Sequence, residues 1–262
     1  YNSANLRDHQ GMAGYGAIWE GLIRDDADWV EIVTWNDYNE DSNLMPYRWK
    51  DGWERQYYDR DESFLDVTAY YSAWFKSGRR PKVVQDKLYY AYRNRPRWLR
   101  RAWDAQAGEW IDLSACSWPC DQIHDDCLDN VYVTTFLTAP ARLEVRLGGQ
   151  EHGFDAPAGV AHVAVPMRPG TPRFVVTRGG ETLIDVHGRK RILGEDDADQ
   201  TNSAKGYHLL NRTWTGAAAA GKAHRLEAES GKLHGDARVA RVGDASAVAT
   251  APKEGSGFTL PL

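Results

Sequence analysis

No stretch of this 262-residue chain holds the roughly 20 consecutive apolar residues that a membrane-crossing helix needs, so no span is expected. Positive charge is not in excess either. Against 37 Asp and Glu there are 32 Lys and Arg, a formal net charge of -5, which argues against a general nucleic-acid binder. Cysteine is scarce: Cys116, Cys120 and Cys127 leave one thiol over in any monomer with a single disulfide. The chain opens at Tyr1 with no signal-like apolar segment, so export cannot be read from its start. No internal repeat is visible.

What is present is a globular composition, 42% hydrophobic and 26% charged, long enough for one or two domains and a sizeable core. Tryptophan is abundant, with 11 residues beside 13 Tyr. Flat indoles stack on sugar rings, although large cores use them as well.

The first 96 residues read as an α/β pattern. Tyr15, Ile18, Trp19, Leu22 and Ile23 recur at helical spacing and predict a helix over 12–24. A run of β-branched and aromatic residues, Trp29 to Trp35, predicts a buried strand. Asp61 is placed to cap a second helix through Phe64, Leu65, Thr68, Tyr71 and Phe75 that stops at Gly78, and 83–92 reads as another strand. Between them, 42–58 reads as a long loop. After Pro96 the helical period disappears. Short β-rich runs at 131–138, 142–147, 160–165, 173–178 and 182–186, punctuated by Gly and Pro, suggest an antiparallel β-sandwich. Gly216-Ala217-Ala218-Ala219-Ala220-Gly221 reads as a linker, and a new segment opens at His224.

The chemistry is carried by Asp37 and Glu40, just past the end of the 29–35 run. Two neighbouring carboxylates do not ionise equally, so one can donate a proton while the other stays anionic. Glycoside hydrolysis needs that division of labour, and barrel enzymes place such groups where a strand meets its loop. Two acids three residues apart are also common on solvated loops. Trp35, Asn36 and Tyr38 supply a stacking surface and hydrogen-bonding groups beside them.

Val30-Glu31-Ile32-Val33-Thr34-Trp35-Asn36-Asp37-Tyr38-Asn39-Glu40 resembles the signature of glycoside hydrolase family 71, the α-1,3-glucanases or mutanases. Ala73-Trp74-Phe75-Lys76-Ser77-Gly78 and Asp86-Lys87-Leu88-Tyr89-Tyr90-Ala91-Tyr92-Arg93 resemble that family's last barrel helix and strand. Thr135 to Pro140 and Ala158-Gly159-Val160 resemble its β-domain. The resemblance implies a (β/α)8 TIM barrel, of which residues 1–96 would be the C-terminal part. It implies an inverting endo-hydrolase of α-1,3-glucan in which Asp37 and Glu40 are the acid pair, leaning to Glu40 as proton donor. Asn39, Asp41 and Asn43-Leu44 stand where the family has Gly, Ser and His-Tyr, and bring linkage specificity into question. Asn36-Asp37-Tyr38-Asn39-Glu40 with Pro46 also resembles a segment of family 99, the endo-α-mannanases. Leu226-Glu227-Ala228-Glu229-Ser230-Gly231 resembles the opening of carbohydrate-binding modules of family 6 and 35 type, so a non-catalytic sugar-binding assembly is a further reading.

The expected organisation is therefore a barrel end at 1–96, a β-sandwich at 97–215, a linker at 216–223 and the start of a binding module at 224–262. The expected protein is a secreted, extracellular monomer acting on polysaccharide, with no cofactor, no metal, no nucleic acid and no membrane. This chain alone is expected to be inactive. Two rival patterns are present. Cys116, Cys120, His124 and Cys127 could hold zinc, although an oxidised pair suits an exported protein better, and Asp121, Asp125, Asp126 and Asp129 could hold calcium. Nine basic residues interleave with aromatics between Arg79 and Arg101, a pattern also used for single-stranded nucleic acid.

Overall fold

The computed structural model describes residues 10–37, 42–46, 61–99, 101–104, 108–112, 128–197 and 213–221, with the backbone of four short strands beyond them. In chain order the elements are helices α1 (Met12–Arg24) and α2 (Ser63–Ser77), then strands β1 (Lys87–Arg93), β2 (Arg101–Asp104), β3 (Glu109–Asp112), β4 (Asn130–Leu137), β5 (Ala141–Leu147), β6 (Gln150–Ala156), β7 (Gly159–Pro166), β8 (Arg173–Arg178), β9 (Glu181–His187) and β10 (Thr213–Ala219).

Every strand pairing among the described residues is antiparallel. One four-stranded sheet runs β10-β1-β4-β7 and a second runs β6-β5-β8-β9, while β2 and β3 form a separate hairpin. Leu88, Tyr90, Val131, Val133 and Leu137 of the first sheet share one hydrophobic cluster with Leu143, Val145, Phe174, Val176 and Ile184 of the second. The opposite face of the first sheet carries Tyr89 and Phe136. These join Met12 and Trp19 of α1 and Val67 and Tyr71 of α2 in a second cluster. β1 and β4 are thus covered on both faces and read as continuous apolar runs, whereas β5 alternates buried and exposed residues.

The helix pair is packed by rings. Trp19 stacks on Tyr71 with centroids 6.5 Å apart, Tyr71 on Trp74 at 6.1 Å, and Tyr70 meets Phe136 edge-on at 4.9 Å. Each such pair adds about 0.5–1.5 kcal/mol to the burial of its area. α1 keeps the bounds its periodicity predicts. α2 begins two residues after Asp61, whose Oδ1 accepts the Ser63 amide at 3.0 Å and the Ser63 hydroxyl at 2.5 Å. It ends on Gly78 in the left-handed conformation, as read from the sequence.

Three expectations are corrected. Trp29–Trp35 is neither strand nor buried. Trp29 is 73% exposed, Val33 68% and Trp35 55%, and only Val30 packs onto the helix cluster. A β-rich run becomes a strand only where neighbours take its main-chain groups, and among the described residues its main-chain bonds are three, to 42–45. The strand expected at 83–92 exists as β1, but it lies between β4 and β10 in the antiparallel sheet instead of closing a parallel barrel. Its double burial explains the misreading, because parallel barrel strands give the same continuous apolar run. The linker expected from Gly216 is the second half of β10, whose residues 216–219 pair with Tyr90, Tyr89, Leu88 and Lys87. A Cβ at Gly216 would overlap the Tyr90 ring, so the glycine there is the space that the tyrosine fills.

The segment 221–262 is a compact unit of its own. It contains β11 (Lys232–His234) paired with β14 (Gly257–Thr259), and β12 (Arg238–Val242) paired with β13 (Ala245–Ala249). No helix among the described residues is long and apolar enough to cross a membrane.

Candidate active site

Thr34 is where the polar half of the 29–41 stretch begins. Its amide donates to Ser42 O at 3.2 Å and its carbonyl accepts from the Leu44 amide at 3.0 Å. The ladder continues one step, with the Met45 amide donating to Trp35 O at 2.9 Å. Residues 34–37 and 42–45 are therefore two limbs of one loop, tied at the neck, and 38–41 connect them. The Thr34 hydroxyl adds side-chain ties to the same neck. Its Oγ1 accepts the Asp37 amide at 3.0 Å and lies 3.2 Å from Ser42 Oγ. A hydroxyl that takes a backbone amide a few residues on is a common local turn device.

Asp37 is half-buried at the top of the first limb, and Trp35 and Asn36 beside it are exposed. Glu40 and Tyr38 lie outside the described residues. Of the five residues read from the sequence as the site, three are thus placed, together, on the limb that Thr34 holds.

The second limb turns inward. Asn43 is 2% exposed, with its Nδ2 donating to Met45 O at 2.9 Å, and Leu44 is 9% exposed. These two positions, where the family resemblance has His-Tyr, fill the base of the loop. Thr34, Ser42 and Asn43 are the neck residues of this candidate site that reading acid spacing alone passes over. The available signal was a hydroxyl three residues before Asp37.

The rival metal readings fall mostly on 113–127, outside the described residues. Asp129, the one described member of the acidic group, is already engaged. Its Oδ1 accepts from Arg93 Nη2 and from the Arg97 amide, each at 2.9 Å, and its Oδ2 accepts from the same amide at 3.1 Å. Among the described residues no group of three or more His, Cys, Asp or Glu could hold a metal. The basic, aromatic stretch is largely interior: Tyr89, Tyr90, Tyr92, Arg93 and Arg95 are buried. Lys87 pairs with Asp66 at 2.7 Å and Arg80 with Glu20 at 3.1 Å.

A family model described as Glycosyl hydrolase family 71 matches residues 9–209. Among curated proteins the chain is 30% identical, over 176 residues, to a mutanase of Penicillium rubens, a match covering 65% of this chain and 37% of that protein. It is 25% identical, over 180 residues, to a glucan endo-1,3-alpha-glucosidase of Schizosaccharomyces pombe, covering 65% and 38%. The chain spans under two fifths of the length of these curated relatives. No solved structure matches it.

Proposed function

The chain belongs to glycosyl hydrolase family 71, and from that premise we propose that the natural protein carrying it is an endo-hydrolase of α-1,3-glucan. The observation that carries this reading is the family match over 9–209, which includes Asp37 and Glu40. The names of the two relatives, a mutanase and a glucan endo-1,3-alpha-glucosidase, point the same way. No observation favours the family 99 mannanase or the purely non-catalytic reading.

In the proposed reaction one carboxylic acid of the pair protonates the glycosidic oxygen while the other carboxylate deprotonates a water attacking from the opposite face. That water needs about 6.5–9.5 Å between the two groups and inverts the anomeric centre. Asp37 and Glu40 take these roles, with Trp35 stacking on a sugar ring and Asn36 and Tyr38 hydrogen-bonding its hydroxyls.

The exposed apolar face of 29–35 fits the same proposal. Trp29, Val33 and Trp35 would be covered, and the run would become a strand, when upstream barrel strands supply neighbours. In this reading α1 and α2 are the last barrel helices, and the two antiparallel sheets are a β-sandwich packed behind them. The unit after Gly221 is the start of a carbohydrate-binding module. The whole protein would be secreted and monomeric, and this chain alone would not turn over substrate.

The test is to incubate the natural full-length protein with α-1,3-glucan and follow the anomer released by proton NMR. The β-anomer appearing first supports the proposal. The α-anomer first would mean retention and a covalent intermediate, and absence of release would remove the substrate assignment.

A further inference from the structure

We propose that Thr34 is a positioning residue for the acid-bearing loop, its single hydroxyl fixing the main chain at Asp37 while closing the loop's neck against Ser42. The proposal rests on the reading of Asp37 as one of the two catalytic acids and adds the residue that holds it in place.

The geometry concentrates on one side chain. Thr34 makes two main-chain bonds to the second limb, to Ser42 O and from the Leu44 amide. Its Oγ1 then reaches both limbs at once, accepting the Asp37 amide at 3.0 Å and pairing with Ser42 Oγ at 3.2 Å. A hydroxyl has two acceptor sites and one donor, so both contacts can be made together. Threonine is also β-branched, which restricts χ1 and holds Oγ1 on the loop side at a smaller entropic cost than serine.

The rest of the neck supports that hydroxyl. Asn43 and Leu44 are buried, and Asn43 Nδ2 closes the second limb onto Met45 O. Ser42 is therefore presented from a base that is packed in place. The first limb has less support of its own, since Val33 and Trp35 on either side of Thr34 are mostly exposed. Thr34 supplies the side-chain ties between the exposed limb and the packed one, beside its own main-chain bonds and the one from Met45 to Trp35. Proton transfer and water activation tolerate little misplacement; displacing a reacting group by about 1 Å costs on the order of 100-fold in rate.

Thr34→Val preserves the shape of the side chain, removes the acceptor and leaves the Asp37 amide without Oγ1. Thr34→Ser keeps the acceptor and loses only the methyl group. The experiment uses the natural full-length protein with α-1,3-gluco-oligosaccharides. Thr34→Val is expected to lower kcat by about 10- to 100-fold with KM within about twofold, because the loss is of placement and not of binding. Thr34→Ser should recover kcat to within about threefold of the parent, and the melting temperatures of all three should agree within about 2 °C. A general folding defect would lower the melting temperature of the valine variant and would not split kcat from KM.

Hydrogen exchange resolved at the Asp37 amide reads the latch without any assay of turnover. It should speed up by roughly 5- to 10-fold in Thr34→Val, the worth of one net hydrogen bond, and remain near parental in Thr34→Ser. Unchanged exchange in the valine variant overturns the proposal whatever the activity. A parent that cleaves glucan, with a valine variant within twofold of its kcat, overturns it as well. A parent with no activity on glucan removes the functional reading, and the positioning role with it, even where exchange shows the bond to be present.

Discussion

Replacing Asp86 by Asn should destabilise the chain by about 2–4 kcal/mol at neutral pH, and the loss should disappear in acid. Asp86 lies just before β1 and is 9% exposed. Arg178, at the end of β8 in the other sheet, donates Nη1 to Asp86 Oδ2 at 2.8 Å and Nη2 to Oδ1 at 2.9 Å. Thr138, after β4, adds its amide at 2.7 Å and its hydroxyl at 2.9 Å. Arg178 also donates to Ala139 O and Pro140 O, so one ion pair ties the ends of both sheets. The Arg178 bond holds the Asp86 carboxyl down to about 2, from a usual 3.8, with burial opposing and the Thr138 donors assisting. A depression of almost two units is worth about 2.5 kcal/mol. Because the folded value is the lower one, that stability is complete above about pH 4 and is lost as pH falls towards 2. Asparagine cannot accept both guanidinium bonds and leaves Arg178 without its counter-charge, which places the estimate at the upper end. Urea unfolding of parent and variant from pH 7 down to pH 2 measures the difference directly. A difference below about 0.5 kcal/mol at pH 7, or one that persists unchanged at pH 2, would refute the reasoning.

Other consequences are as direct. Gly216→Val should cost at least about 2–3 kcal/mol, since its Cβ would overlap the Tyr90 ring; a melting temperature within a degree of the parent would remove β10 from its place beside β1. Burial pushes Tyr90 up to about 12 and raises Tyr71, Tyr89 and Tyr92 as well. Their raised values mean that the stability they contribute is present below about pH 10 and lost above it. Ultraviolet titration should therefore show a subset of the 13 tyrosines still protonated near about pH 11. A single transition of all of them near the ordinary phenol value would contradict their packing. Trp19→Ala should cost about 3–5 kcal/mol by opening the ring cluster between α1 and α2, measured by the same urea unfolding; a loss below about 1 kcal/mol would contradict the described helix packing.

Much of this fold was legible because local signals and packing agreed. The bounds of α1 follow from the spacing of Tyr15, Trp19 and Leu22, and α2 stops at Gly78 because the chain there needs a left-handed turn. The sandwich-like strands were found between glycine pairs such as Gly148-Gly149 and Gly179-Gly180, whose positive φ makes the hairpin turns. Where the reading failed, the missing information was the neighbour. Nothing within Trp29–Trp35 says whether strands flank it. The continuous burial of β1 comes from two different partners, a second sheet and a helix pair, which together imitate a barrel. The small residues of β10 looked like a flexible connection because Tyr90, whose ring fills the space at Gly216, stands over 120 residues earlier. Edge strand β6, Gln150–Ala156, is polar enough on its open face to carry no apolar run. For the candidate site, residue types were enough to propose Asp37, Glu40 and Trp35, whereas the Thr34–Ser42 tie was not legible, because it joins residues eight apart across a loop.

The most direct measurement of the central claim is reducing-end release from insoluble α-1,3-glucan by the natural full-length protein and its Asp37→Asn and Glu40→Gln variants. The account predicts release by the parent and a loss of at least about 1,000-fold in each variant, the scale expected when a proton donor or a water-activating base is removed. Full activity in either variant, with the parent active, would contradict the assignment of the acid pair to this loop.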